Sequence, residues 1–261
     1  MIRAGYASML ELPMTLPPSG VVKPATGCDV DPRLEVDDSL DQQAILSTAL
    51  VSIFRGNFCD FILPNRKTIS FKKHSVIYEV GDRERSLYFL QNGFAKVGTT
   101  TADGREIIYD VRKKGDVIGE LCASALVRPD RAVALENTDA ICVPFAEVME
   151  TLSHQPGLAV VLVDVFCHAL KEAYAQVNSL AVDDTIHRLI KVLSGLATRI
   201  GERAGSLAHI PVYLTQEEIA QMAGARRERI STALNSLRRR GIVHYSIRGH
   251  LVLDLDAAEA A

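Results

Sequence analysis

Apolar positions divide the chain into stretches of different period. From "QQAILSTALVSIF" an apolar pattern with helical spacing begins and ends near Gly56. Between residues 61 and 148 the texture changes to short β-rich runs: "VIYEV", "SLYFL", "AKVGTT", "EIIYDV", "DVIGE" and "AICVPF". Glycines punctuate them, and "ADGRE" supplies the Asp-Gly pair of a tight hairpin turn. Strands this short, with no helices between them, predict a compact antiparallel roll or barrel and disfavour a parallel α/β sheet. After Pro156 the period becomes helical. Leu158, Leu162, Val165, Ala169, Ala173, Val177 and Leu180 follow steps of three and four, an apolar seam suited to a two-helix dimer interface. At "AVDDTIHRL", Asp183 and Asp184 are placed to cap a new helix, with a hinge before it.

The stretch "LTQEEIAQMAGARRERISTALNSLRRRGIV" reads as helix, tight turn, helix. Thr215 and Glu218 form a T-x-x-E capping box, and Gly224 ends the first helix after about two turns. The second helix buries Ile230, Leu234 and Leu237 and stops at Gly241. Ala220, Gly224 and Ile230 stand where a helix-turn-helix needs close approach, a bend and a packed anchor. The exposed start of the second helix then presents Arg226, Arg227, Glu228 and Thr232. Arginine pairs bidentately with guanine and glutamate accepts from cytosine, so these side chains are suited to a G·C step in a major groove. "VHYSIRGHLVLD" reads as a hairpin with Arg248 and Gly249 at its tip, a wing.

Charge sharpens this picture. The formal net charge is −3, yet residues 219 to 251 hold seven arginines and one glutamate, a local +6. Such a concentration suits phosphates, the expected role of Arg238, Arg239 and Arg240. Residues 1 to 42 hold five of the ten prolines and the acidic cluster "DVDPRLEVDDSLD", with no sustained period, and are predicted to be a disordered leader. The longest apolar run, "GLAVVLVDVFCHAL", carries Asp164 and His168 and is too short for a membrane span. The N-terminal residues lack a secretory pattern, so a cytoplasmic location and no membrane partner are expected. Cys28, Cys59, Cys122, Cys142 and Cys167 include no C-x-x-C pair, which argues against a disulfide framework or a structural zinc site. No P-loop, G-x-S-x-G elbow or metal-spaced His and carboxylate cluster occurs. A catalytic role, such as nucleotide hydrolysis, is therefore not expected; the Asp183, Asp184 and His187 group is explained by helix capping.

"GDRERSLYFLQNG", "GDVIGEL", the long helix and the winged helix-turn-helix, in this order over roughly residues 45 to 256, resemble the Crp/Fnr family of bacterial transcription factors, those of the cyclic-AMP receptor and the fumarate-nitrate regulator. The resemblance implies an α+β chain with a cyclic-nucleotide-binding-like β-roll over 43–154, a dimerisation helix over 155–182 and a winged helix-turn-helix over 183–261. It implies a homodimer on double-stranded DNA with a near-palindromic operator, RNA polymerase as a partner, and Arg227, Glu228 and Thr232 as base-reading positions. In nucleotide-binding members a G-E-L turn and a following arginine hold the ligand. The matching positions are Gly119, Glu120 and Leu121, then Arg131 and Ala132, which makes a cyclic nucleotide the candidate effector. The carboxylate would accept from a ribose hydroxyl and the guanidinium would neutralise a phosphate. This chain departs from the family pattern twice. Ala173 and Tyr174 stand where the cyclic-AMP receptor contacts adenine with Thr-Ser, and Ala132 replaces a small hydroxyl residue. Many members keep the G-E-L turn without a nucleotide, so control by abundance or thiol oxidation at Cys122 is the alternative. The fumarate-nitrate type of iron–sulfur cluster needs closely spaced N-terminal cysteines, where this chain has Cys28; a haem on His74, Cys122 or His168 is also not expected.

Overall fold

The computed structural model describes residues 66–154 and 156–261. The predicted leader and the helix expected from "QQAILSTALVSIF" lie outside the described residues, as do Cys28 and Cys59.

The first eight strands are β1 (Thr68–Phe71), β2 (Val76–Tyr78), β3 (Ser86–Asn92), β4 (Phe94–Thr100), β5 (Glu106–Lys113), β6 (Val117–Ile118), β7 (Arg131–Ala134) and β8 (Thr138–Pro144). They form two antiparallel sheets, in the orders β1-β8-β3-β6 and β2-β7-β4-β5. This is the antiparallel roll that the short apolar runs require. The β4–β5 hairpin turns at the expected Asp103-Gly104, where Gly104 takes φ +82°. Between the sheets lie Ile77, Tyr78, Tyr88, Leu90, Val97, Ile118 and three alanines at 95, 132 and 134. The alternation of β7 sends Ala132 and Ala134 inward.

Helix α1 (Phe145–His154) closes the roll with Val148 and Leu152 buried. Helix α2 (Pro156–Val182) is 27 residues long and breaks at Asp183. Asp184 caps the next helix, α3 (Thr185–Ile200): its carboxylate accepts from the backbone N–H groups of Ile186 and His187. The Asp184 and His187 pair is thus part of a helix start, as expected. A short hairpin, β9 (Glu202–Ala204) and β10 (Leu207–His209), precedes helices α4 (Gln216–Ala223) and α5 (Arg227–Arg239). Strands β11 (Val243–Tyr245) and β12 (Leu251–Asp254) follow, and helix α6 (Leu255–Glu259) ends the chain's last element. The sheet order is β11-β12-β10-β9. Strands β1, β7, β9 and β10 were not anticipated from the apolar pattern.

One apolar cluster holds the C-terminal part together and reaches into the roll: Leu189, Leu193, Ile219, Ile230 and Leu234 share it with Ile108, Val111 and Leu135. Two ion pairs reinforce this packing. Lys96 of β4 donates to Glu218 at 3.0 Å, and Arg199 of α3 meets Asp110 of β5 at 2.6 Å. No helix among the described residues is long and apolar enough to cross a membrane.

Candidate functional site

The helix-turn-helix is built as its sequence specifies. Thr215 Oγ1 accepts from the Glu218 N–H at 3.1 Å, while Glu218 Oε2 accepts from the Thr215 N–H at 2.9 Å, closing the capping box. Burial raises the Glu218 carboxyl, but the Thr215 N–H and the Lys96 ammonium outweigh it and hold the group below the usual carboxylate range. Gly224 ends α4 with φ +58°, a left-handed conformation that glycine adopts freely. A Cβ there would also stand 2.7 Å from Leu180 Cδ2. Ile230, Ala233, Leu234 and Leu237 turn α5 inward.

The opposite face of α5 is solvent-exposed. Arg226, Arg227, Glu228, Arg229 and Thr232 line it, and Arg226 occupies the N-cap position without a side-chain cap. The positive end of the helix dipole therefore adds to three arginines. Thr232 Oγ1 donates to the Glu228 carbonyl at 3.0 Å, leaving its lone pairs outward. Arg238, Arg239 and Arg240 are exposed at the other end of α5, with Arg238 5.3 Å over the Tyr245 ring. Arg248 is exposed in the turn between β11 and β12, where the Gly249 N–H donates to the Ser246 carbonyl. All the expected DNA-facing positions, Arg226, Arg227, Glu228, Thr232 and Arg248, are thus exposed, and none forms an ion pair among the described residues.

The interior of the roll differs from expectation. Gly119 takes φ +88° at the entry to a short 3-10 helix, Glu120–Ala123. The guanidinium that reaches it belongs to Arg128, which donates to the carbonyls of Ser86 at 2.7 Å and Gly119 at 3.4 Å. A Cβ on residue 119 would lie 2.7 Å from Arg128 Nη1. Arg128 is 1% exposed and lies 4.0 Å over the ring of Tyr78, which stacks on Tyr88 at 5.8 Å. Tyr78 donates to Asp130 at 2.8 Å. Burial pushes both tyrosine hydroxyls and the Asp130 carboxyl upward, while the Arg128 charge acts against that rise.

Arg131, expected beside Gly119 and Glu120, is not there. As the first residue of β7 it alternates with inward Ala132, so it points outward and pairs with Glu106 at 2.8 Å and Glu79 at 3.2 Å. Glu120 receives Arg112 at 3.3 Å. Leu121 and Tyr174 are exposed, and Ala132 is fully buried. Gly119, Glu120 and Arg128 are thus gathered by the turn, in which Leu121 is exposed; Arg131 and Tyr174 are not brought to it. The strand alternation carries the signal against Arg131, since small inward residues at 132 and 134 force 131 to the outside; Arg128, in the loop before β7, has no such signal. Cys122 is buried and its thiol is pushed up by that burial, the reverse of an activated thiolate.

A β-roll, a long helix and a winged helix-turn-helix with an exposed cationic recognition face together define a DNA-binding regulator with a sensor-type domain. Comparison with known proteins is specific. The cyclic nucleotide-binding domain family matches residues 68–155, and the Crp-like helix-turn-helix domain family matches residues 187–260. The chain is 27% identical over 187 residues to a CRP-like cAMP-activated global transcriptional regulator of Mycobacterium tuberculosis, covering 71% of this chain and 84% of that protein. It is also 27% identical over 201 residues to the fumarate and nitrate reduction regulatory protein of Vibrio cholerae, covering 77% and 78%. Among solved structures, FixK2 from Bradyrhizobium japonicum shares the fold with a TM-score of 0.67 at 20% identity, over 76% of this chain and 97% of that one. The chain belongs to the Crp/Fnr family of transcription regulators. Members of this family bind DNA and act as dimers.

Proposed function

We propose that this regulator binds a near-palindromic operator as a homodimer in the cytoplasm, and that cyclic nucleotides do not set its affinity for that operator. The observation that carries the reading is the exposed face of α5, where Arg226, Arg227, Glu228 and Thr232 stand free of the apolar core beneath them. Arg227 and Glu228 read base edges, while Arg238 to Arg240 and Arg248 hold phosphates. Helix α2 supplies the dimer contact. Val163, Phe166, Leu170, Tyr174 and Val177 recur at steps of three and four, and each is more than two-fifths exposed in the single chain. Of the seam positions read from sequence, Val177 lies on this stripe, whereas Ala169, Ala173 and Leu180 line a groove that β5, α3 and α4 also border. A two-fold axis along α2 delivers two recognition helices to successive major grooves about 34 Å apart. RNA polymerase is the natural further partner of such a regulator at a promoter.

Nucleotide independence follows from the roll interior. A ligand phosphate recruiting Arg128 must first break its bonds to the Ser86 and Gly119 carbonyls and lift it from the Tyr78 ring. Arg131 is already neutralised on the outer face. The test is operator affinity on a selected palindromic site with and without cyclic AMP, cyclic GMP and cyclic di-GMP. Equal affinity in all four conditions is expected. A tenfold gain with one nucleotide would refute nucleotide independence and leave operator recognition standing, whereas no preference over random duplex would refute the recognition itself.

A further inference from the structure

A groove of about 480 Å³ opens where three parts of the molecule meet: β5 of the roll, the C-terminal half of α2, and helices α3 and α4 of the DNA-binding domain. This is within the size range of small-molecule sites. Its apolar wall is made by Ala173, Leu180, Leu196, Met222 and Ala223. Four cations also line it, against the carboxylates Asp110 and Glu172. Arg112 is held by Asp110 and Glu120, Arg199 by Asp110 and Glu172, and Lys191 by Asp183 at 2.6 Å. The Arg188 side chain has no hydrogen bond or ion pair among the described residues, and its Nε is buried. One guanidinium in the groove therefore has no carboxylate against it, and a buried Nε–H without an acceptor gains most from an anionic one.

The groove is also kept open. Gly195 lies inside α3 on the groove wall, and a Cβ added there would meet nothing within 4 Å. A glycine inside a helix costs about 1 kcal/mol relative to alanine. No close packing of another element accounts for it here; its effect is to leave space. The second copy of a dimer does not occupy this space along the seam, because Glu172, Gln176 and Ser179 lie across α2 from Phe166, Leu170 and Tyr174 at 3.6 residues per turn.

We propose that the groove binds a small organic anion, a carboxylate or phosphate on an apolar body, with Arg188 as its anion-binding residue. The site rests on the groove's own geometry; its consequence for DNA rests on the operator reading above. A ligand seated there touches the roll, the dimer helix and the DNA-binding domain together, and so favours the arrangement that presents all three.

The test titrates the full-length dimer with anilinonaphthalene sulfonate, an aromatic sulfonate, following its fluorescence. Saturable binding at one site per chain is expected. Arg188→Gln should weaken it at least tenfold and Arg188→Lys less. Gly195→Phe, which fills the groove from a position with room for it, should abolish it, whereas Gly195→Ala should not. Operator affinity without the probe should stay intact in these variants, which separates failure of the groove from failure of DNA recognition. Saturating probe should shift wild-type operator affinity at least threefold and leave Arg188→Gln unmoved. Absence of saturable binding, or binding that Arg188→Gln and Gly195→Phe both leave unchanged, overturns the site. Saturable binding with no shift in operator affinity overturns its regulatory role.

Discussion

Replacing Arg128 with leucine tests whether the roll is stabilised by its own internal guanidinium. The substitution removes a charge-assisted bond to the Ser86 carbonyl at 2.7 Å, a longer one to the Gly119 carbonyl, and stacking 4.0 Å over Tyr78. The short bond contributes about 1.5–3 kcal/mol and the stacking about 1–2 kcal/mol. Leucine burial returns about 1.5–3 kcal/mol. These terms leave a loss of about 1–2 kcal/mol at any pH, and Asp130 decides the pH dependence. It is 1% exposed, burial already raises its carboxyl, and Arg128 opposes that rise. Without Arg128 its pKa climbs further, and each added unit costs about 1.4 kcal/mol wherever the group must be charged. The sign follows from linkage: a carboxyl raised in the folded state contributes stability that is complete below its unfolded pKa and is lost as pH rises through the folded one. Arg128→Leu should therefore lose about 3–5 kcal/mol near pH 8, the part beyond the lost contacts coming from the Asp130 charge, and distinctly less near pH 5. Urea denaturation of both proteins at one fixed chain concentration measures this. Equal losses at the two pH values, or a loss near pH 8 below about 1 kcal/mol, would refute the argument.

Three further outcomes are expected. Gly195→Ala, in a helix and with open space around its new methyl group, should stabilise the protein by about 0.5–1 kcal/mol in the same denaturation experiment. Arg227→Ala should cost about 1–3 kcal/mol of operator affinity and relax selectivity at one base pair. Arg239→Ala should weaken all duplexes alike and lower the salt slope by about 1 in fluorescence anisotropy titrations. Leu170→Asp on the exposed seam of α2 should give monomers in sedimentation equilibrium and remove the operator preference, because a single recognition helix spans only a half-site.

The DNA-binding half was legible because its signals are local. A capping box, a left-handed glycine and a three-and-four apolar step each act within a few residues, and Thr215, Gly224 and Ile230 take the roles their spacing implies. The break between α2 and α3 was legible for the same reason, since a carboxylate before a helical run caps it, as Asp184 does. The roll was legible as a class but less so in its contents. Whether Arg128 or Arg131 faces inward depends on the phase of β7, a strand hidden in a long segment that was read for its motif and not for its alternation. Spacing from Gly119 points to Arg131; the inward alanines at 132 and 134 put Arg131 outside, and the loop before β7 brings Arg128 in. The packing of Ile108, Val111 and Leu135 against the helix-turn-helix core, and the Lys96–Glu218 pair 122 residues apart, had no sequence signature. Such contacts are set by how two folded parts meet, which no local period encodes.

The central claim is tested most directly by measuring affinity and stoichiometry on a selected near-palindromic duplex and on a random duplex of equal length, at moderate salt and without added nucleotide. The account predicts two chains per palindrome and binding about a thousandfold or more tighter than to the random duplex. Equal affinity for the two duplexes, or one chain per palindrome at saturation, would contradict it.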